Sequence, residues 1–360
     1  MRPSRHRSPF TAPTTTGAAR CLAHLQRSKW TKEVPVNMMQ NHRRAFTITE
    51  LFVCILIAIL IVGILLPAFG QRRPRGGRQI KDGTQVRNIV QACFTFAESN
   101  KGVYPLPSTL DIAGLTLPST TPGVADQNKD TTGNILALLI QGGGISPEIC
   151  VSPAEASGFI RLDEGYETSR PAGAVNPDAA LWDPKFAGTP EQGGNAQSLA
   201  PRIPGIGNNS YAHSPAFGGK RARWASTASQ TEAAWGNRGP LYQGTTSSVA
   251  GWKLVQGAGG TDSVTLAIHG GRNTWEGNIG YNDSHVEFET RPDPTTITYN
   301  RARGGAPVTV PDNLFVDETD DVTRNGDTRP DSLAGANQFL AMISRIDNSA
   351  TVPALKLFKD

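Results

Sequence analysis

The sequence has few of the residues and motifs that usually carry catalysis or staple a small fold. It has four cysteines and six histidines in 360 residues, too few cysteines for a disulfide framework. The G-x-S-x-G, Walker A, HExxH and paired CxxC patterns are absent from it. The sequence therefore predicts no enzyme and no cofactor. Only Cys93 and Cys150 could lie in a soluble body, where we favour free buried thiols over a single bridge.

A positive charge spread over the whole chain is also missing. Residues 1–45 hold nine Lys or Arg and one acidic residue, whereas the remainder holds 26 basic and 30 acidic residues. The net charge of +4 therefore reflects the leader and not the body. A mildly acidic body gives no electrostatic basis for binding nucleic acid.

One segment is strongly apolar. Leu51–Leu66 contains no polar side chain, and as a helix Phe46–Phe69 would measure roughly 36 Å. Because the hydrocarbon core of a bilayer is about 30 Å thick, residues 46–69 are predicted to form a membrane-spanning helix. Glu50 is the ionisable exception near its start. It is either a functional group needing a partner or a first-turn residue favoured by the helix dipole.

The residues Ala45-Phe46-Thr47-Ile48-Thr49-Glu50, with the apolar run behind them, resemble the class III signal of type IV pilins and type II secretion pseudopilins. The resemblance implies cleavage by prepilin peptidase between Ala45 and Phe46 and N-methylation of Phe46. It also implies an assembly role for Glu50, which would pair with the Phe46 ammonium of a neighbouring subunit. Ala45 stands where this family usually has glycine.

Two other interpretations of this region stay open. Arg43-Arg44-Ala45-Phe46 also fits a twin-arginine export signal, and the apolar run also fits an unprocessed signal anchor. Residues 1–45 are predicted to be a leader. Within it, residues 1–37 are interpreted as a mis-called start, since Met39 would give a leader of more usual length.

The body, residues 70–300, is predicted to be a pilin-like α+β domain, so the whole chain would be a long N-terminal hydrophobic helix followed by a mostly antiparallel β domain. Apolar spacing predicts helices over Thr84–Asn100 and Asn134–Gln141. The predicted strands are Ala233–Trp235, Trp252–Gln256, Ser263–His269, Asn278–Tyr281 and His285–Thr290.

Residues 301–360 are predicted to form an acidic loop and a C-terminal helix over Ala334–Ile346. The loop carries four neighbouring acids, which are Asp317, Glu318, Asp320 and Asp321. Oxygen-rich loops can bind calcium, but the spacing fits no EF-hand. A solvated acidic turn without metal is the favoured interpretation.

A second resemblance lies near the end of the body. His269-Gly270-Gly271-Arg272-Asn273, followed by Asp283-Ser284-His285-Val286, is similar to the late H…DG motif of a pilin-like, type II secretion G-like family abundant in planctomycetes. The spacing is longer than in that family, and Ser284 replaces its glycine. We expect Asp283-Ser284 to form a tight turn between two strands, with His269 hydrogen-bonded across the hairpin. A catalytic site of His269, Asp283 and His285 is the less favoured alternative.

Together these patterns predict a non-enzymatic pseudopilin-like protein in the cytoplasmic (inner) membrane. It would pass the membrane once and expose its C-terminal domain to the periplasm or the outside, and it would assemble into a pilus or a type II secretion-like fibre. The expected partners are prepilin peptidase, membrane lipid and other pilin-like subunits. The alternatives are a membrane-anchored binding module that does not polymerise and, third, an anchored hydrolase.

Overall fold

The computed structural model describes residues 47–70, 75–243, 252–302, 306–329, 332–347 and 354–360, with the side chains of 63–70 and 75 outside the description. The chain divides into two compact units, Met1–Pro67 and Ala68–Asp360. Each unit is described by itself below.

The first unit contains most of helix α1, Ile48–Gly70. Its described side chains, 48–62, are all exposed and cover roughly 22 Å of helix axis at 1.5 Å per residue. Among the residues described, no helix is both long and apolar enough to cross a bilayer. Over those residues the predicted membrane-spanning helix 46–69 is therefore wrong. So are the transmembrane and prepilin features and the single-pass inner-membrane localisation that depended on it.

The second unit begins with helix α2, Arg75–Ser99, which confirms the helix predicted over Thr84–Asn100. Its apolar stripe is fully buried and comprises Val86, Ile89, Val90, Cys93 and Ala97. The stripe packs on the central sheet at Gly280, where an added Cβ would come within 2.8 Å of Val86 and 2.9 Å of Val90. A side chain at that position would push the helix off the sheet.

The central sheet has four antiparallel strands in the order β1-β2-β5-β6. These strands are Tyr211–His213, Ala233–Asn237, Gly277–Tyr281 and Val286–Glu289. The strands predicted around Ala233, Asn278 and His285 are confirmed. Three two-stranded antiparallel ribbons complete the strands of the described residues. They are β3 Tyr242–Gln243 with β4 Lys253–Leu254, β7 Thr298–Arg301 with β8 Val308–Pro311, and β9 Ile343–Asp347 with β10 Ala354–Leu357.

Two local predictions are wrong. Ser263–His269 is not a strand, because the Ser263 hydroxyl accepts a hydrogen bond from the Thr265 N–H at 3.2 Å and starts a 3₁₀ turn over Val264–Ala267. The predicted C-terminal helix is also absent from its described residues. There Ala341 exchanges two 3.0 Å backbone hydrogen bonds with His213, and β9 pairs with β10. Pairing with distant strands overrides the helical spacing of the apolar residues.

The remaining α-helices of the described residues are α3, Pro107–Leu110, and α4, Thr132–Gln141. The Thr131 side chain caps α4, and every residue from Thr132 to Ile140 is buried. The α4 prediction over Asn134–Gln141 is therefore confirmed. The α+β class holds with small antiparallel sheets. No helix of the described residues has the length and apolarity of the predicted membrane-spanning N-terminal helix, so that part of the predicted pilin-like architecture is wrong.

Candidate functional site

The start of α1 is a reciprocal cap between Thr47 and Glu50. The Thr47 N–H and hydroxyl donate to Glu50 Oε2 at 2.9 and 2.8 Å, and the Glu50 N–H lies 3.3 Å from Thr47 Oγ1. These hydrogen bonds, the backbone one first, lower the pKa of the Glu50 carboxyl. The sequence Thr-Ile-Thr-Glu has the spacing of a capping box, so this cap can be recognised from the sequence.

Glu50 is therefore a solvent-exposed, ionised first-turn residue of this chain. Its predicted pairing with the amine of Phe46 stays a prediction, because Phe46 lies outside the described residues. Ala45 and the predicted cleavage and methylation at Phe46 lie outside them as well.

The most extensive buried polar network around a predicted site residue centres on Asp82 of α2. Its Oδ1 accepts from the Tyr211 hydroxyl at 2.8 Å. Its Oδ2 lies 2.9 Å from His269 Nε2 and accepts from Asn278 Nδ2 at 2.7 Å. Asp82 is 0% exposed and His269 is 6% exposed. We call these four residues the Asp82 network.

The electrostatics of this network follow from its hydrogen bonds. Burial alone would raise the pKa of Asp82, but hydrogen bonds from His269, Ser152 and Asn278 outweigh it and hold that pKa below its ordinary value. Burial and the neighbouring Asp82 charge raise the pKa of Tyr211. Both oxygens of the buried Asp82 carboxylate therefore have hydrogen-bond partners. These hydrogen bonds tie α2 to β1, β5 and the segment before β5.

Asp283 lies apart from this network, at the turn between β5 and β6. Its side chain is 35% exposed, and its Oδ1 accepts from the His285 N–H at 3.1 Å and contacts His285 Nδ1. Ser284 adopts a left-handed φ of 68°, so the predicted tight turn is confirmed. His285 stacks on Tyr281 with ring centroids 4.3 Å apart.

The two halves of the predicted motif, His269 and Asp283, therefore have different partners. His269 does not hydrogen-bond across the hairpin as predicted. It pairs with Asp82, and its ring meets Phe288 edge-on at 5.6 Å. Asp283 pairs with His285 instead. A joint catalytic site of His269, Asp283 and His285 finds no support in this geometry.

The predicted solvated acidic turn is wrong for three of its four acids. Asp317, Glu318 and Asp321 are 3–5% exposed. Asp317 lies 3.1 Å from Lys220 Nζ and 2.8 Å from Arg324 Nη1. Within the described ranges, no group of three or more His, Cys, Asp or Glu is placed to hold a metal ion. Asp317 is neutralised by these two buried basic side chains. Asp321 accepts from the backbone N–H groups of Thr323 and Asn337, and burial raises the pKa of Glu318.

The cysteines of the body are free and buried, as favoured from the sequence. Burial raises the pKa of the Cys93 thiol to about 12 and also raises that of Cys150. A thiol held in its protonated form is a poor nucleophile.

Comparison with known proteins gives no match to a family model, to a curated protein or to a solved structure.

Proposed function

We propose that this protein is a non-enzymatic assembly subunit that associates with further subunits through α1. The observation that carries the proposal is the exposure of the α1 side chains. The apolar ones are 49–86% exposed and include Ile48, Phe52, Leu56, Leu60 and Val62. Contiguous apolar surface of this extent is rare on monomers and marks interaction sites.

The candidate catalytic groups support a non-enzymatic role. His269 Nε2 is hydrogen-bonded to the buried Asp82 carboxylate. Asp283 accepts a backbone hydrogen bond within an exposed turn. The thiols of Cys93 and Cys150 are buried and protonated. None of these groups combines an activated nucleophile with a base and an orienting partner.

Glu50 would determine how two α1 helices align with each other. The described side chains of the helix from Leu51 to Val62 are apolar. The ionised carboxylate of Glu50 lies directly before them and bounds this apolar surface. When α1 packs against α1 of another subunit, burial of Glu50 requires a cationic or hydrogen-bonding partner. This fixes the axial position of one helix against the next.

The experiment measures the oligomeric state of the full chain by sedimentation velocity over a wide concentration range. Wild type is expected to form concentration-dependent oligomers, and Leu56→Asp is expected to be monomeric because it places a charge in the apolar contact. Glu50→Gln is expected to weaken assembly while leaving the helix cap in place, because Gln at this position also accepts the hydrogen bonds from Thr47.

Glu98→Gln, on an exposed face of α2, is the matched control and should assemble like wild type. A wild-type chain that stays monomeric throughout would refute the proposal. That result would instead favour the alternative, a binding module that does not polymerise. Assembly unchanged in Leu56→Asp would exclude α1 as the contact.

A further inference from the structure

A groove of about 790 Å³ lies in the second unit, between the β3–β4 ribbon, the segment before β5 and the segment after β6. Its volume is in the range of small-molecule and cofactor sites. Its walls include Tyr242, Gln243, Trp252, Gln256, Asn273 and Arg291. None of these residues belongs to the Asp82 network or to α1.

Part of the groove wall is aromatic and packs on buried aromatic rings. Tyr242 and Trp252 are partly exposed. Tyr242 stacks on Phe315 with centroids 6.4 Å apart and planes at 17°. Phe315 is fixed in turn by the fully buried Trp275 at 4.8 Å. Trp252 thus differs from Trp235 and Trp275, which are fully buried in the core.

The rest of the wall offers uncharged hydrogen-bonding groups. Gln243, Gln256 and Asn273 are exposed, and their side-chain amides make no hydrogen bond to any other residue that the structure describes. Each free amide provides donors and an acceptor side by side. Ordinary surface amides bind water, but here three of them converge on a groove with aromatic walls.

The charged groups of the wall largely offset each other. Arg291 donates twice to Asp293, at 2.8 and 2.6 Å, so this pair is a bidentate ion pair. Among the lining residues that the structure describes, it leaves Lys253 as the unpaired charge. A strongly charged ligand such as a nucleic acid or an acidic peptide would find little complementary charge in this groove.

We propose that this groove binds an oligosaccharide. A sugar ring presents an apolar C–H face, which suits the electron-rich faces of Trp252 and Tyr242. Its equatorial hydroxyls both donate and accept, which suits amide side chains such as Gln256. The proposed occupant is a neutral glycan chain of several residues, because a groove of about 790 Å³ has room for more than one sugar ring.

The test titrates the full chain with cellohexaose, chitohexaose, maltohexaose and xylohexaose by isothermal calorimetry. At least one glycan is expected to bind, with affinity lowered about tenfold in Trp252→Ala, since tryptophans dominate such contacts. Gln256→Ala is expected to lower it less. Because Gln256 is exposed, this variant keeps the proposal testable if Trp252→Ala fails to fold, as judged by far-UV circular dichroism.

Phe159→Ala is the matched control, since Phe159 is 65% exposed and outside the groove; it should bind like wild type. The proposal is overturned if no glycan of the panel binds. It is equally overturned if Trp252→Ala and Gln256→Ala bind like wild type, or if a proline-rich peptide binds in a Trp252-dependent way while the glycans do not. Binding with the expected loss in both variants supports it, whatever the oligomeric state.

Discussion

Removing the carboxylate of Asp82 should destabilise the second unit strongly, because Asp82→Ala takes one acceptor away from three buried donors. These are the Tyr211 hydroxyl, His269 Nε2 and Asn278 Nδ2, which now lie 2.7–2.9 Å from the carboxylate oxygens. All four residues are buried. Tyr211 and Asn278 each keep a second acceptor, Gln85 Oε1 at 3.0 Å and the Gln79 carbonyl at 3.4 Å, whereas His269 Nε2 has no other acceptor among the described residues. An orphaned buried donor costs about 1–3 kcal/mol and each lost hydrogen bond about 0.5–1.5 kcal/mol, so we expect Asp82→Ala to lower the free energy of unfolding by about 3–5 kcal/mol.

The measurement is urea unfolding, followed by the fluorescence of the buried tryptophans. Asp82→Asn keeps one acceptor oxygen and should cost less than Asp82→Ala. The control is Asp283→Ala, which removes a carboxylate at the other end of the predicted motif. Because the side chains of Asp283 and its partner His285 are 35% and 41% exposed, the control should cost no more than about 1 kcal/mol. Equal losses in Asp82→Ala and Asp283→Ala would refute the reasoning.

Three further predictions concern buried charges and thiols. Burial raises the pKa of Asp312 from 3.8 to about 7, so this carboxyl contributes stability below about pH 4 that is lost as the pH rises towards 7. In Asp312→Asn the thermal midpoint should therefore fall less between pH 4 and pH 7 than in wild type. Asp178→Asn is the control and should behave like wild type, because Asp178 is exposed. A wild-type pH profile in Asp312→Asn would contradict the raised pKa of Asp312. Lys129→Met should lower the free energy of unfolding by about 3–5 kcal/mol, because it removes the ammonium 2.8 Å from the buried Asp111 carboxylate. Chemical denaturation measures this loss, and a loss below about 1 kcal/mol would contradict the prediction. Cys93 should resist a thiol reagent in the native chain at pH 8 and react once urea unfolds it, since its thiol is fully buried; native-state labelling of Cys93, read by peptide mass spectrometry, would disprove this.

The parts of the fold that could be predicted from the sequence are those determined by local patterns. The apolar spacing of α2 is helical, and residues Val86 and Val90 fall on its buried face. The β5–β6 hairpin follows from two short strands with Asp283-Ser284 between them, a dipeptide suited to the left-handed φ of the turn.

The parts that could not be predicted depend on contacts between residues far apart in the chain. His269 and Asp82 are 187 positions apart, and no local pattern indicates that they pair. The apolar residues Phe339, Met342 and Ile346 recur at helical spacing, so the local pattern leading into β9 favours a helix. Its partner β10 and the backbone exchange between Ala341 and His213 decide the outcome.

The capping box at the start of α1 is an intermediate case. Thr47 and Glu50 have the required spacing in the sequence, so the reciprocal hydrogen bonds between them could have been predicted. The groove around Trp252 could not, because its walls come from three separate segments of the chain.

The packing of His213 against two neighbouring indoles gives this protein an internal optical reporter. The rings of Trp224 and Trp235 lie 6.1 Å apart at 52°, close enough for their electronic transitions to couple and to give a paired signal in near-UV circular dichroism. His213 lies 5.1 and 4.8 Å from the two rings, and burial lowers its pKa to about 4. At neutral pH the imidazole is therefore uncharged beside both indoles. The amplitude of this signal then reports how closely β1, β2 and the segment carrying Trp224 are held together.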